Sequence, residues 1–541
     1  MKTLRLLAAL LLLVSFAAAQ RRTPPPTTKS PDATATTPNT EDSKTAEATP
    51  RTSAEGEKKE PTPITKFEMK EVAPVVTHHE IKSASGKLLK YTATAGRLPI
   101  KDAMGNIEAE MFFVAYTLDG QEPGRRPLTF AFNGGPGSAS IWLHMGALGP
   151  RKVVLQEQGW MPQGPYRVAD NPYTPLDQSD MVLVDAIGTG YSRPLDAATG
   201  KKFWGLKGDI EGFGEFIRMY ISRYDRWSSP LFLLGESYGT TRAAGIAGYL
   251  ADKGIAFNGI TLLSTILDFE SVITGRRNDE AYLLTLPTYT AIAWYHHRLA
   301  ADLQADLTKA RAEAEAFAAG EYTAALAKGD RLSGDERQFV IDKLARYTGL
   351  KKEFIDNSNL RIDVRGFTAN LLIDEKLRVG RLDGRYTAPN PVATLDPGFF
   401  DPSSAATTPP FNAAFNDYIR RELGYKVDMP YNLSARDAFR ENFKWNWDEE
   451  MGYADTASAL RAALIKNPYM KVQVMEGYFD LATPYAAVNY SMDHLDLAPQ
   501  YHKNISFVTY EAGHMVYLHG PSLEKMHKDY TNFVTSNVPQ P

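Results

Sequence analysis

The chain contains no cysteine. Disulfides, thiolate zinc sites, a cysteine nucleophile and a lipidated N-terminal cysteine are thereby excluded. A chain of 541 residues that is 43% hydrophobic carries its stability in a core and has no need of disulfides. An excess of one charge is also missing. Lys and Arg number 60 against 64 Asp and Glu, a formal net charge of -4. So small an imbalance speaks against a nucleic-acid binder, which works by neutralising phosphates. Basic pairs such as Arg125-Arg126 and Arg276-Arg277 read as solvated surface. There is no H-E-x-x-H spacing and no internal repeat, and no motif calls for a metal or an organic cofactor.

Long apolar runs are absent beyond the N-terminus. There, Lys2 and Arg5 precede an apolar stretch from Leu6 to Phe16, and Ala17-Ala18-Ala19 offers a small-residue cleavage site before Gln20. This pattern predicts a secretory signal peptide over residues 1–19. The run is too short for a comfortable membrane span, so no membrane association is expected after cleavage. A compact signal with no cysteine suits bacterial export, to the periplasm or the medium. Residues 20–63 are rich in Thr, Pro, Ala, Ser, Glu and Lys and poor in large apolar side chains. Such a segment cannot offset its ordering entropy and reads as a disordered linker.

What is present is a series of short apolar runs: Leu128 to Phe132, Met181 to Asp185, Leu231 to Leu234, Ile260 to Ser264, Lys471 to Met475 and Ile505 to Tyr510. Short apolar strands separated by crossovers predict a mostly parallel sheet covered on both faces. Before them, Glu80 to Ser83 and Met111 to Thr117 read as antiparallel strands, with turn residues at Asp102 to Asn106. Between Leu267 and about Asn467 no core strand is evident. Ala- and charge-rich helical stretches occupy Leu299 to Gly320, Tyr322 to Lys328 and Gly334 to Tyr347, and a Pro- and aromatic-rich stretch runs from Asn390 to Trp447. The expected architecture is therefore an α/β core in two parts, 64–266 and 468–541, with a large, mainly helical cap inserted at 267–467.

The stretch with most chemistry in it is Gly235-Glu236-Ser237-Tyr238-Gly239. It follows the run ending at Leu234 and precedes a small-residue segment from Thr240 to Leu250. Strand, sharp turn, helix is the arrangement that holds a serine hydroxyl exposed at a helix N-terminus. In a parallel sheet, reactive groups collect at the carboxyl ends of strands. Asp480 follows the run at Lys471, and His514 follows the run at Ile505 behind Gly513. The order Ser237, Asp480, His514 is that of the α/β-hydrolase triad. Of the ten histidines, only His514 comes directly after a strand and a glycine; His519 is the runner-up. Asp268, after another core run, is the competing acid. In this scheme His514 takes the proton from Ser237 and Asp480 fixes the imidazole tautomer. The turn Asn133-Gly134-Gly135-Pro136-Gly137 follows the first strong core run, where backbone N–H groups can face a developing oxyanion. Gly135 and the N–H of Tyr238 are the expected donors.

With these segments together, the sequence resembles the serine carboxypeptidase family, peptidase family S10. The resemblance rests on Asn133 to Gly137, on Asp185 with Gly188-Thr189-Gly190-Tyr191-Ser192, on Gly235 to Gly239, and on Gly513-His514-Met515-Val516, with Asp480 where the family's acid lies. It implies an α/β-hydrolase with a cap inserted in the sheet, acting on peptides with a free C-terminus. It also implies that Asn133, Gly134 and Glu236 bind the terminal carboxylate. Carboxyl against carboxylate requires one of the two to be protonated. Two departures stand out. Ser138 occupies a position where the family commonly has a cysteine. Ala147 falls where better-known members have a second glutamate. An esterase or acyltransferase with the same triad is the alternative, and oligomeric state is not legible.

Overall fold

Nine strands form the path of the central sheet, and each begins from a short run of apolar or β-branched residues. The computed structural model describes residues 66–275, 277–391, 400–447 and 452–538. The expected signal peptide and linker, residues 1–63, lie outside them. In chain order the strands are β1 (Val75–Lys82), β2 (Leu88–Lys101), β3 (Ile107–Leu118), β4 (Leu128–Phe132), β5 (Asp180–Val184), β6 (Leu231–Glu236), β7 (Gly259–Leu263), β8 (Lys471–Gly477) and β9 (Ile505–Tyr510). The spatial order is β1-β2-β3-β5-β4-β6-β7-β8-β9, with the two-residue strand Arg193–Pro194 against β3. The first three strands and the β3–β5 pair are antiparallel. From β5 through β9 every pairing is parallel.

Burial explains why the parallel strands read as continuous apolar runs. Every residue of β4, β5, β6 and β7 is buried, and successive side chains enter opposite faces. Leu231 and Leu233 of β6 join Phe130, Phe213 and Ile246 in one core cluster. Phe232 and Leu234 join Ala131, Met475 and Phe533 in the other. The helices Leu206–Arg223, Tyr238–Ala251 and Ala457–Lys466 contribute to the first cluster, and Gly520–Ser536 to the second. This is the α/β-hydrolase fold: a mostly parallel sheet between helical layers.

β7 and β8 are neighbours in the sheet, yet some two hundred residues lie between them in sequence. That stretch contributes no strand to the central sheet among its described residues. It forms helices and a two-stranded ribbon, Leu377–Val379 with Thr387–Pro389. It has its own apolar cluster, in which Ile292, Phe317, Leu344 and Phe367 are buried, and to which Phe479 and Leu481 of the sheet's acid loop are added. The Pro-rich stretch contains a long helix, Pro402–Arg421, that retains Pro409 and Pro410 inside it. Pro402 sits at its first turn, where a missing N–H costs nothing, and Asp401 caps it by accepting from Ser403 N at 2.9 Å.

Candidate active site

Strand register brings the reactive segments to one edge of the sheet. Phe132 pairs with Gly235, Glu236 with Leu263, and Met475 with Leu263, so the chain leaves β4, β6, β7 and β8 at one level. Ser237 follows β6 directly and is the N-cap of the helix Tyr238–Ala251, with φ 61° and ψ -133°. A non-glycine residue there is strained by about 1–3 kcal/mol. Its N–H donates to the Leu263 carbonyl at 2.9 Å, which fixes the turn from the neighbouring strand. The flanking glycines are sterically required. A Cβ on Gly235 would stand 2.1 Å from the Gly239 carbonyl oxygen, and one on Gly239 2.8 Å from that of Phe132.

His514 and Asp480 meet as the sequence order suggested. Nδ1 of His514 lies 2.7 Å from Oδ2 of Asp480. A carboxylate can only accept, so Nδ1 carries the proton and Nε2 presents a lone pair. Asp480 is fully buried and well supplied with donors. The N–H groups of Ala482 and Thr483 reach Oδ1 at 2.7 and 3.1 Å, and the Thr483 hydroxyl donates to Oδ2 at 2.6 Å. Burial opposes charge on the His514 imidazole, but the Asp480 carboxylate, aided by Glu236, outweighs it and raises the pKa above its ordinary value. Asp268, the competing acid, instead bridges to Asp455 through its backbone, and its carboxylate accepts from Glu270 N at 2.9 Å. His519 bonds Ser522.

Ser237, His514, Asn133, Gly134, Gly135 and Glu236 all line one cleft of about 610 Å³. Among the described residues the Ser237 hydroxyl makes no hydrogen bond. Hydrogen bonds of a catalytic serine are commonly long without substrate and tighten only when it arrives. The glycine turn beside it is pressed onto the helix N-terminus: a Cβ on Gly134 would stand 2.3 Å from Gly239 N and 2.5 Å from Tyr238 N. Buried Arg242 locks this contact. It pairs with Asp209 at 2.7 Å and donates to the Asn133 carbonyl at 2.6 Å. Asp185 braces the far side, accepting from Ser140 N at 2.7 Å, while burial pushes its own pKa up to about 6.

Glu236 points into the same cleft from below Ser237. It is almost wholly buried, and burial, the largest influence, pushes its pKa up to about 7. Tyr517, three residues after His514, and Asn133 lie close enough to act against that rise, each lowering it. Their geometry is short of a hydrogen bond, since Glu236 Oε2 and the Tyr517 hydroxyl are both buried without a partner among the described residues. Asn133 is oriented by accepting from Leu143 N at 2.9 Å through Oδ1, which leaves its amide nitrogen as the group able to donate. Ala147 is buried behind this cluster in the turn His144–Leu148 and does not line the cleft.

Several contributors had no clear sequence signal. Thr483 and Tyr517 each lie three residues beyond a triad position, a spacing visible only in retrospect. The segment Arg381–Arg385, from the inserted stretch, had none at all, yet it holds the loops that carry Asp480 and His514. Leu481 N donates to Arg381 O at 3.0 Å, Gly384 N to Phe479 O at 2.9 Å, and His514 N to Leu382 O at 2.6 Å. Tyr238 lines the cleft, whereas Tyr191, Trp294 and Tyr295 do not.

No curated protein sequence matches this chain. Solved structures similar to it include a putative aryl esterase from Burkholderia cenocepacia (13% identity, TM-score 0.35, 82% of this chain and 100% of that one). A thermostable carboxyl esterase from Bacillus coagulans gives 11% identity and a TM-score of 0.35, covering 82% of this chain and 99% of that one. A peroxisomal alpha-beta-hydrolase from Saccharomyces cerevisiae gives 9% identity and 0.36, covering 84% and 90%. The serine carboxypeptidase family matches residues 89–504, a span that takes in the glycine turn, Ser237 and Asp480. This chain, a serine hydrolase, belongs to the serine carboxypeptidase family.

Proposed function

We propose that the protein is an exported serine carboxypeptidase that removes C-terminal residues from peptides through an acyl-enzyme on Ser237. His514 Nε2 accepts the Ser237 proton as the hydroxyl attacks the scissile carbonyl. Asp480 holds the imidazole in the tautomer this requires and stabilises its cation. The carbonyl oxygen, as it gains charge, is received by the N–H groups of Gly135 and Tyr238. His514 then protonates the leaving amine and activates the water that releases the acyl group.

The observation that carries this reading is the buried carboxyl of Glu236 beside the nucleophile, with Asn133, Gly134 and Tyr517 around it. With its pKa near 7, Glu236 is a neutral donor under mildly acidic conditions and can hydrogen-bond a substrate carboxylate. An esterase has no use for such a group. Tyr517 does not line the cleft and acts on it only through Glu236; Glu236, the Asn133 amide and the Gly134 N–H give a free C-terminus three candidate donors. Export rests on the N-terminal sequence pattern alone. The test is a blocked dipeptide with a free C-terminus against the same peptide amidated, from pH 4 to 8. A carboxypeptidase cleaves the free acid and largely spares the amide. Hydrolysis of simple esters without that preference marks an esterase or acyltransferase with the same triad.

A further inference from the structure

The walls of the cleft differ in chemistry. One is apolar: Ile266, Phe269, Ile273 and Trp447 line it beside Tyr238, with Phe269 and Trp447 4.7 Å apart between ring centroids. The other carries Arg381, with the hydroxyl residues Ser404, Thr407 and Thr408. Arg381 is the one arginine or lysine among the described residues that line the cleft. Its guanidinium is half-buried and makes no ion pair or hydrogen bond among them. A half-buried cation without an acidic partner is costly to keep, and an arginine fork pairs with the two oxygens of a carboxylate bidentately.

Its position is not accidental slack. The Arg381 backbone is pinned on both sides: its N–H donates to Asp401 Oδ1 at 3.3 Å and its carbonyl accepts from Leu481. Arg381 lines the same cleft as Ser237 and His514, and its charge acts to lower the pKa of that imidazole. It is also separate from the Glu236 cluster. After burial, the groups with the largest effect on Glu236 are His514, Tyr517, Asp480 and Asn133, with no arginine among them.

We propose that Arg381 is a specificity-determining residue whose guanidinium binds the side-chain carboxylate of a glutamate or aspartate flanking the scissile bond, so that acidic peptides are the preferred substrates. This rests on the carboxypeptidase reading and adds a substrate class to it. The test uses pairs of blocked dipeptides with free C-termini that differ only in Glu against Gln, at the last and at the penultimate position. The assay is run near pH 6, where a glutamate side chain is ionised. The full chain is expected to favour Glu over Gln by about tenfold or more in kcat/KM at one of the two positions. Arg381→Gln is expected to bring that ratio close to one, and Arg381→Lys to keep part of it. Labelling of Ser237 by a fluorophosphonate checks that each variant is folded. A Glu-to-Gln ratio near one in the unaltered chain overturns the proposal. So does a ratio that Arg381→Gln leaves intact, or a loss that is equal for Glu and Gln peptides. Cleavage of esters with none of the peptides overturns it together with the carboxypeptidase reading. Peptide cleavage without a Glu preference overturns it alone.

Discussion

The backbone N–H of His514 donates at 2.6 Å to the carbonyl of Leu382, which joins the proposed catalytic base to a segment outside the central sheet. The neighbouring residue, Asp383, extends the joint. It accepts from Gly513 N at 3.2 Å and pairs with Arg385 at 2.6 Å, and Arg385 reaches on to the Glu511 carbonyl at 3.0 Å. A Cβ on Gly513 would stand 2.4 Å from that of Asp383, so only glycine permits the approach. The inserted stretch is therefore a structural part of the His514 loop.

Asp383→Asn should weaken this joint. It breaks a nearly buried ion pair and leaves Arg385 uncompensated, a loss of about 3–5 kcal/mol in comparable cases. The denaturant midpoint is expected to fall, and kcat to drop because the His514 loop loses its brace. An unchanged midpoint and kcat would show that the backbone bonds from Leu382 and Gly384 suffice.

Thr483→Val removes the hydroxyl that donates to Asp480 Oδ2. The carboxylate is buried, so the lost bond costs about 1–3 kcal/mol. If Asp480 orients His514, kcat falls about tenfold with KM little changed, and Thr483→Ser restores it. Steady-state kinetics on one peptide substrate decides the matter.

Glu236 gives a pH prediction with a definite sign. Burial raises its pKa to about 7, so below that the carboxyl is neutral and donates to a substrate carboxylate. Above it the group ionises and repels the substrate. For the unaltered chain, kcat/KM should decline on the alkaline side about tenfold per pH unit, since one proton is involved. Glu236→Gln cannot ionise, so its alkaline limb should move upward by a unit or more. Coincident alkaline limbs in the two proteins would remove Glu236 from carboxylate binding.

Gly134→Ala should damage catalysis with little effect on the core. The added methyl meets Gly239 N and Tyr238 N, both backbone atoms that cannot swing aside. Relief comes only by moving the glycine turn away from the helix N-terminus. The expected loss is about 10²–10³ in kcat, the scale of losing one oxyanion donor. A variant as fast as the unaltered chain at the same Tm would mean that the turn has slack to give.

The central sheet was readable because its parallel strands are buried on both faces. Runs such as Leu128 to Phe132 and Leu231 to Leu234 therefore stand out as continuous apolar stretches. Ser237 was readable for a local reason: its strained turn needs glycine on both sides, and that need is written in adjacent residues. His514 was legible because it follows a strand and a glycine. The helix Pro402–Arg421 was harder, since Pro409 and Pro410 argue against a helix locally and only packing of Phe411, Phe415 and Tyr418 against the core sustains it.

Local sequence by itself determined where the nucleophile turn, the glycine turn and the strand-end acid and base candidates lie. Each follows a short apolar run and has a glycine within a few residues. Tertiary structure alone decided that Asp480 rather than Asp268 faces His514, that Tyr517 joins Glu236 and Asn133, and that Arg381 enters the cleft from far along the chain. Those outcomes depend on strand register and on docking of the inserted stretch, which join residues far apart in sequence through contacts that no local pattern encodes.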